Sequence, residues 1–141
     1  MNLKAYIMKY LSLDDAIKAE TRDRRYAGGK QEALSALFNR KKVKLIQYVR
    51  ENDYTGNEGA LFKFPNGSFA FVTDYFGSCG GCDSWENASD DNARSLLVSC
   101  ATSARVFKDA QEVLKFIEEC ANDADQYSHR YIVLLDKSKI I

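Results

Sequence analysis

Asn66-Gly67, set between two aromatic-rich runs, constrains the fold of this chain more than any other feature. An Asn-Gly pair accepts φ > 0 at both central positions of a type I′ turn, so it reads as the tip of a two-residue β-hairpin. Pro65 precedes the turn at a strand end, where a missing N–H is tolerated. Such a loop sets the register: Pro65 opposite Ser68, Phe64 opposite Phe69, and Phe62 opposite Phe71. Cross-strand partners share a face. Phe62, Phe64, Phe69 and Phe71 are therefore expected to form one aromatic face, continued by Thr73 and Tyr75 and packed under helices. The other face, Leu61, Lys63, Ala70, Val72 and Asp74, is mixed. A platform for stacking bases would interleave its rings with Arg or Lys, and the phenylalanine face has neither.

Upstream of the hairpin the pattern is helical. Leu3, Tyr6, Ile7, Tyr10 and Leu11 recur at helical spacing. Ser12 with Asp15 has the form of a capping box that restarts the helix with Leu13, Ala16 and Ile17 inward. Gly28-Gly29 breaks the pattern, and a longer helix is expected over 31–50, with Leu34, Leu37, Phe38, Leu45, Ile46 and Val49 as its buried stripe. After a polar stretch at 51–58 come hairpin strands at about 60–65 and 68–75. Asp83 as N-cap, with Glu86 three residues on, predicts a helix running to about Thr102. A short strand at 104–107 and a helix over 109–122 follow, the latter with Val113, Phe116, Ile117 and Cys120 on one side. The unbroken apolar run 131–135 reads as a closing strand in the middle of a sheet. These elements predict an α+β fold. Its sheet is mostly antiparallel, with three or four strands and the hairpin 60–75 at its centre; the N-terminal helices and two later helices pack on it. A single domain over 1–141 is expected, with a helical part at 1–50 and an α+β part at 59–141.

At 141 residues and 45% hydrophobic content the chain supports one packed core. It has no run of 18 apolar residues, so no membrane span is expected. The N-terminal stretch lacks the apolar core of a signal peptide, which points to the cytoplasm, or the host cytoplasm for a phage protein. In that compartment the four cysteines are expected to be thiols or metal ligands before they are disulfides. Charge is uneven beneath a formal net of zero. Residues 18–50 hold ten Lys/Arg against three Asp/Glu, and residues 51–100 hold two against eight. The basic segment, with Arg22, Arg24, Arg25, Arg40, Lys41, Lys42 and Lys44, is a candidate contact for an acidic partner or a nucleic acid.

The most unusual stretch is the loop after the hairpin: Gly77, Ser78, Cys79, Gly80, Gly81, Cys82 and Asp83, followed by Trp85 and Glu86. Its glycines suit a tight turn or a close approach of backbone to ligand. A Cys-Gly-Gly-Cys run between a strand and a helix start is open to several readings. Cys79 and Cys82 are small buried side chains, a redox dithiol, or two of the four ligands of a zinc site. Asp83 and Glu86 crowd the pair with negative charge, which opposes a thiolate. Zinc would need further ligands from Cys100, Cys120 or His129. Both cysteines fall on apolar helical stripes and read as core thiols, so His129 is the remaining candidate. A cysteine nucleophile would need a base, and His129 is the single imidazole. The carboxylates Asp74, Asp83, Glu86, Asp90 and Asp91 match no cation-binding spacing and read as a solvated acidic surface.

The piece Tyr75–Glu86, YFGSCGGCDSWE, resembles a signature of small bacterial and phage proteins with the pattern Y-x-G-S-C-x-x-C-D after an apolar strand. The likeness covers about a tenth of the chain, and that group has no established activity, so no catalytic role follows from it. It implies a bacterial or phage source and a recurring loop element.

Function at this level is an expectation of class. With no assembled catalytic set, the chain reads as a non-catalytic binding or regulatory protein with a protein partner and no cofactor. Its contact surface would be the loop 77–83 or the basic helix 31–50. The alternatives are a zinc-binding or thiol-redox domain built on Cys79 and Cys82, and nucleic-acid binding through the basic segment 22–44.

Overall fold

A computed structural model describes residues 2–20, 30–51, 56–77, 85, 87–123 and 130–141. Short N-terminal helices α1 (Leu3–Met8), α2 (Leu13–Ala19) and α3 (Gln31–Ser35) lead into strands β1 (Lys44–Arg50), β2 (Gly56–Lys63) and β3 (Phe69–Phe76). Helix α4 (Asp90–Thr102), strand β4 (Arg105–Phe107) and helix α5 (Ala110–Ala121) follow, then 3₁₀ turns at Ile132–Leu134 and Lys137–Lys139. The four strands form one antiparallel sheet in the order β1-β2-β3-β4, so the α+β class and the N-terminal helices are as expected.

The hairpin exists, but its register is one residue away from the expected one. Lys63 pairs with Phe69, Phe62 with Ala70 and Leu61 with Phe71. The Phe64 N–H donates to the Ser68 carbonyl at 2.8 Å, and the Gly67 N–H to the Phe64 carbonyl at 2.9 Å. The loop is therefore three residues, Pro65-Asn66-Gly67, with Gly67 at φ +88°. The cause is Pro65. A two-residue loop would make Pro65 and Ser68 the first hydrogen-bonded pair, and proline has no N–H to donate. One residue earlier, Pro65 takes the position after the first residue of a turn, where its fixed φ fits, and Gly67 takes the left-handed position.

This slip reverses a central expectation, because a one-residue shift moves alternate side chains to the other face. The four phenylalanines do not share a face. Phe62 and Phe64, with Ala60, Ala70 and Val72, pack against Ile7, Leu34, Leu37 and Phe38 of the N-terminal part and Ala93 and Leu97 of α4. Phe69 and Phe71, with Leu61 and Val49, pack against Val113 and Ile117 of α5 and Tyr131, Ile132 and Leu135 beyond it. The sheet is thus the middle of three layers, with a separate core on each side.

The helix expected over 31–50 is α3 followed by β1. The Asn39 side chain accepts from the Lys41 N–H at 3.0 Å, and the Asn39 carbonyl accepts from Val43 at 2.8 Å, closing a turn that ends helical pairing. A register break between Leu45 and Gln47 disrupts the two-residue period of β1, so Leu45, Ile46 and Val49 mimic a helical stripe. The strand expected at 131–135 is a 3₁₀ turn: Tyr131, Ile132 and Leu135 are buried while Val133 and Leu134 are exposed. Helix α4 starts at Asp90, capped by the Ser89 hydroxyl, after Asn87 adopts φ 61°. Asp83 and Glu86, expected to cap it, lie outside the described residues. The Ser12 hydroxyl donates to the Asp15 carboxylate at 2.6 Å and caps no backbone N–H, so the expected capping box does not form. Helix α5 matches its expectation: the Asp109 carboxylate accepts from the Glu112 N–H at 3.0 Å, and Val113, Ile117 and Cys120 face inward. Among the described residues no helix is long and apolar enough to cross a membrane.

Candidate functional site

On the α4 side of the sheet, two acids face each other across β2 and β3: Glu58 pairs directly with Asp74. Like charges in that position repel. Lys30, just before α3, resolves the conflict. Its ammonium forms a close ion pair with Asp74 and lies 3.5 Å from Glu58 Oε2. Its own main-chain N–H donates to Glu58 Oε1 and Oε2 at 3.1 and 3.3 Å. From β1, the Tyr48 hydroxyl donates to Glu58 Oε1 at 2.6 Å. The Trp85 ring centroid is 5.6 Å from the Lys30 ammonium, within cation–π reach. Lys30 is 1% exposed and Glu58 fully buried, while Asp74 keeps 32% of its side chain open.

The electrostatics lock each group in its resting form. Burial alone would lower the Lys30 pKa, but the Glu58 and Asp74 carboxylates outweigh it and raise the value, so the ammonium stays charged. Burial, then the neighbouring Glu58 carboxylate, raises the Tyr48 pKa and keeps the phenol a donor. The Cys100 thiol, next to Asp74, is pushed up to about 12, first by burial and then by that carboxylate. A protonated lysine, a neutral phenol and a neutral thiol make a clasp, not a nucleophile. It ties the chain before α3, all three long strands and Trp85 into one knot.

A second polar contact joins the end of β1 to the start of β2. Glu51 accepts from Asn57 Nδ2 at 3.0 Å and pairs with Arg130 at 2.8 Å. Gly56 is required there: its φ is +155°, and a Cβ would come within 2.6 Å of the Glu51 carboxylate.

Of the loop residues singled out from sequence, Gly77 and Trp85 are described, and both are buried. Ser78, Cys79, Gly80, Gly81, Cys82, Asp83 and Glu86 lie outside the described residues, as do His129, Arg22, Arg24 and Arg25. Cys100 and Cys120 are free thiols in the two separate cores, on opposite sides of the sheet, as their helical stripes suggested. Among the described residues no group of three or more His, Cys, Asp or Glu is placed to hold a metal. Asp74, expected on a solvated acidic surface, is instead part of the clasp, whereas Asp90 and Asp91 sit exposed in the first turn of α4. The basic cluster is not helical: Arg40, Lys41 and Lys42 occupy an exposed turn, and Lys44 opens β1. Lys30, Tyr48 and Glu58 escaped the sequence reading. The available signal was an acid, Glu58, directly ahead of the apolar run Gly59–Phe62.

No protein-family model, curated protein or solved structure matches the chain.

Proposed function

We propose that the protein is a non-catalytic intracellular binding or regulatory protein, of bacterial or phage type, that meets its partner through the basic turn Arg40–Lys44. One contrast supports this reading. Among the described residues, Lys30 is held charged and the Cys100 thiol is pushed up to about 12, while Arg40, Lys41, Lys42 and Lys44 stand exposed. The segment 77–83 is the second candidate contact in this reading, on the strength of its sequence alone.

Lysine footprinting tests the reading. Acetylation of the protein in a cell extract, against purified protein alone, is expected to show selective protection of Lys41, Lys42 and Lys44. Equal labelling in both, or substrate turnover by purified protein that Cys79→Ala or Cys82→Ala abolishes, overturns it.

A further inference from the structure

The described arginines divide unevenly. Arg94 pairs with Asp14, and Arg130 with Glu51. Arg50 lies 4.1 Å from the centroid of the Phe76 ring, and Arg105 lies 4.3 Å from that of Phe116. Arg40 has no such partner among the described residues. Nor do Lys41, Lys42 or Lys44 have a carboxylate partner there.

Strand pairing adds a fifth cation that the linear sequence hides. Lys44 lies directly opposite Lys63 across β1 and β2, and both are exposed. Two like charges in this position oppose folding, and no acid among the described residues relieves them. Lys63 rests 5.7 Å from the Phe69 ring centroid, a contact with aromatic carbon and not with a carboxylate. Lys44, Lys63, Phe69 and Phe107 form one row across the end of all four strands. The basic turn leads straight into that row. Asp15, which accepts from the Ser12 hydroxyl at 2.6 Å, shares a cleft of about 230 Å³ with Arg40 and Lys41 but forms no ion pair with either.

We propose that Arg40, Lys41, Lys42, Lys44 and Lys63 form a rim that docks on the phosphodiester backbone of a nucleic acid and reads charge, not base sequence. This rests on the reading of the chain as a binding protein and deepens it. Two observations bear on phosphate against an acidic peptide. The cations are spread over a turn and two paired strand ends, a series of point charges that a repeating phosphate backbone can meet, and lysine serves as a point-charge partner of phosphate. A peptide strand added beside the lysines would use the free edge of β1, because the other edge, β4, lies across the sheet from them. That edge carries a register break between Leu45 and Gln47, and the Gln47 side chain is tied to the Leu134 carbonyl at 3.2 Å and the Asp136 N–H at 2.7 Å.

Fluorescence anisotropy of labelled 20-nucleotide DNA and RNA probes with the full chain tests the proposal. Binding is expected at 50 mM salt, similar for unrelated sequences, and weaker by about 10²–10³-fold at 200 mM if the five cations each meet a phosphate. The combined Lys41→Glu/Lys42→Glu/Lys44→Glu variant is expected to lose at least tenfold in affinity. Lys44→Glu alone should weaken binding while its Tm stays at or above that of the parent, since the change places a carboxylate opposite Lys63. No binding at 50 mM salt, salt-independent binding, or unchanged affinity in these variants overturns the proposal. Tighter binding of poly-L-glutamate than of either nucleic acid, lost in the same variants, also overturns it but leaves the binding reading intact. Turnover that depends on Cys79 or Cys82 would instead remove the binding reading itself.

Discussion

Lys30 and Lys44 are the same side chain in opposite settings. Lys30 is buried between two carboxylates, under an indole and in line with a tyrosine-bound acid. Lys44 is exposed and faces another lysine. In the clasp each charge has a partner, and the arrangement holds strands and chain segments together. At the rim, the charges have no carboxylate partner among the described residues, although an acid at either Lys44 or Lys63 would supply one. The difference separates charge paired inside the fold from charge turned to solvent.

The comparison breaks most sharply at Lys30. Lys30→Met leaves Glu58 and Asp74 facing each other with no counter-ion between them. Removing one partner of a buried pair costs about 3–5 kcal/mol. The opening at Asp74 lets water reach one carboxylate, so a loss of about 3 kcal/mol in urea-unfolding free energy is expected. Lys42→Met at the exposed turn should change the same measurement by less than about 0.5 kcal/mol. Equal effects at the two sites would dissolve the distinction.

Alkaline pH sharpens it next. Lys30 has a raised pKa in the fold, so its stabilisation is complete below the ordinary lysine value and is lost as pH climbs through the folded one. Cys100 acts in the same direction: its thiol ionises near 9 when unfolded but only at about 12 when folded, so stability drains away between those values. Unfolding free energy measured against pH should fall above about pH 9, and Cys100→Ala should flatten the first part of that fall. At pH 8 the folded protein should leave Cys100 unmodified by a thiol reagent, while urea-unfolded protein reacts there. Rapid native labelling of Cys100 would contradict the burial that raises its pKa.

Tyr48→Phe is a gentler cut. It removes the 2.6 Å bond to Glu58 Oε1 but leaves the Lys30 N–H on the same oxygen. A loss of about 1–2 kcal/mol is expected, toward the low end for a hydrogen bond to a charged group, because the acceptor keeps a second donor.

How much of this was legible beforehand follows from where the information lies along the chain. Helix α5 was readable because cap and stripe are local: Asp109, Glu112 and the Val113–Ile117–Cys120 face lie within twelve residues. The hairpin was readable as a hairpin, but its register turned on the absent N–H of Pro65, against the stronger pull of Asn66-Gly67. That one-residue error hid the clasp as well. In the expected register Glu58 would oppose Tyr75, and only the observed pairing brings Glu58 to Asp74. Lys30 is 28 residues from Glu58, a separation that no local periodicity bridges. Strand β1 was obscured because both faces of the sheet are covered and a bulge interrupts its alternation. The basic turn was legible as composition. Its union with Lys63 needed the β1–β2 pairing.

The smallest expected effect lies at that union. Lys44→Glu converts a like-charge pair into an opposite-charge pair, worth about 0.2–1 kcal/mol in favour of the fold. Lys44 is the better of the two sites for this measurement, because Lys63→Glu would also remove the contact with the Phe69 ring. Lysine and glutamate are both poor strand formers, so β-propensity largely cancels in the exchange. Changing both residues to glutamate restores a like-charge pair and should bring stability back toward that of the parent. A double-mutant cycle on urea midpoints isolates this coupling. A favourable coupling of opposite charges would mean that the Lys44–Lys63 pair is less stable than a one-residue alternative, as a surface kept basic for a partner would be. Additive single effects would show that the two ammonium groups already avoid each other, and the rim would then carry no stability cost for its charge.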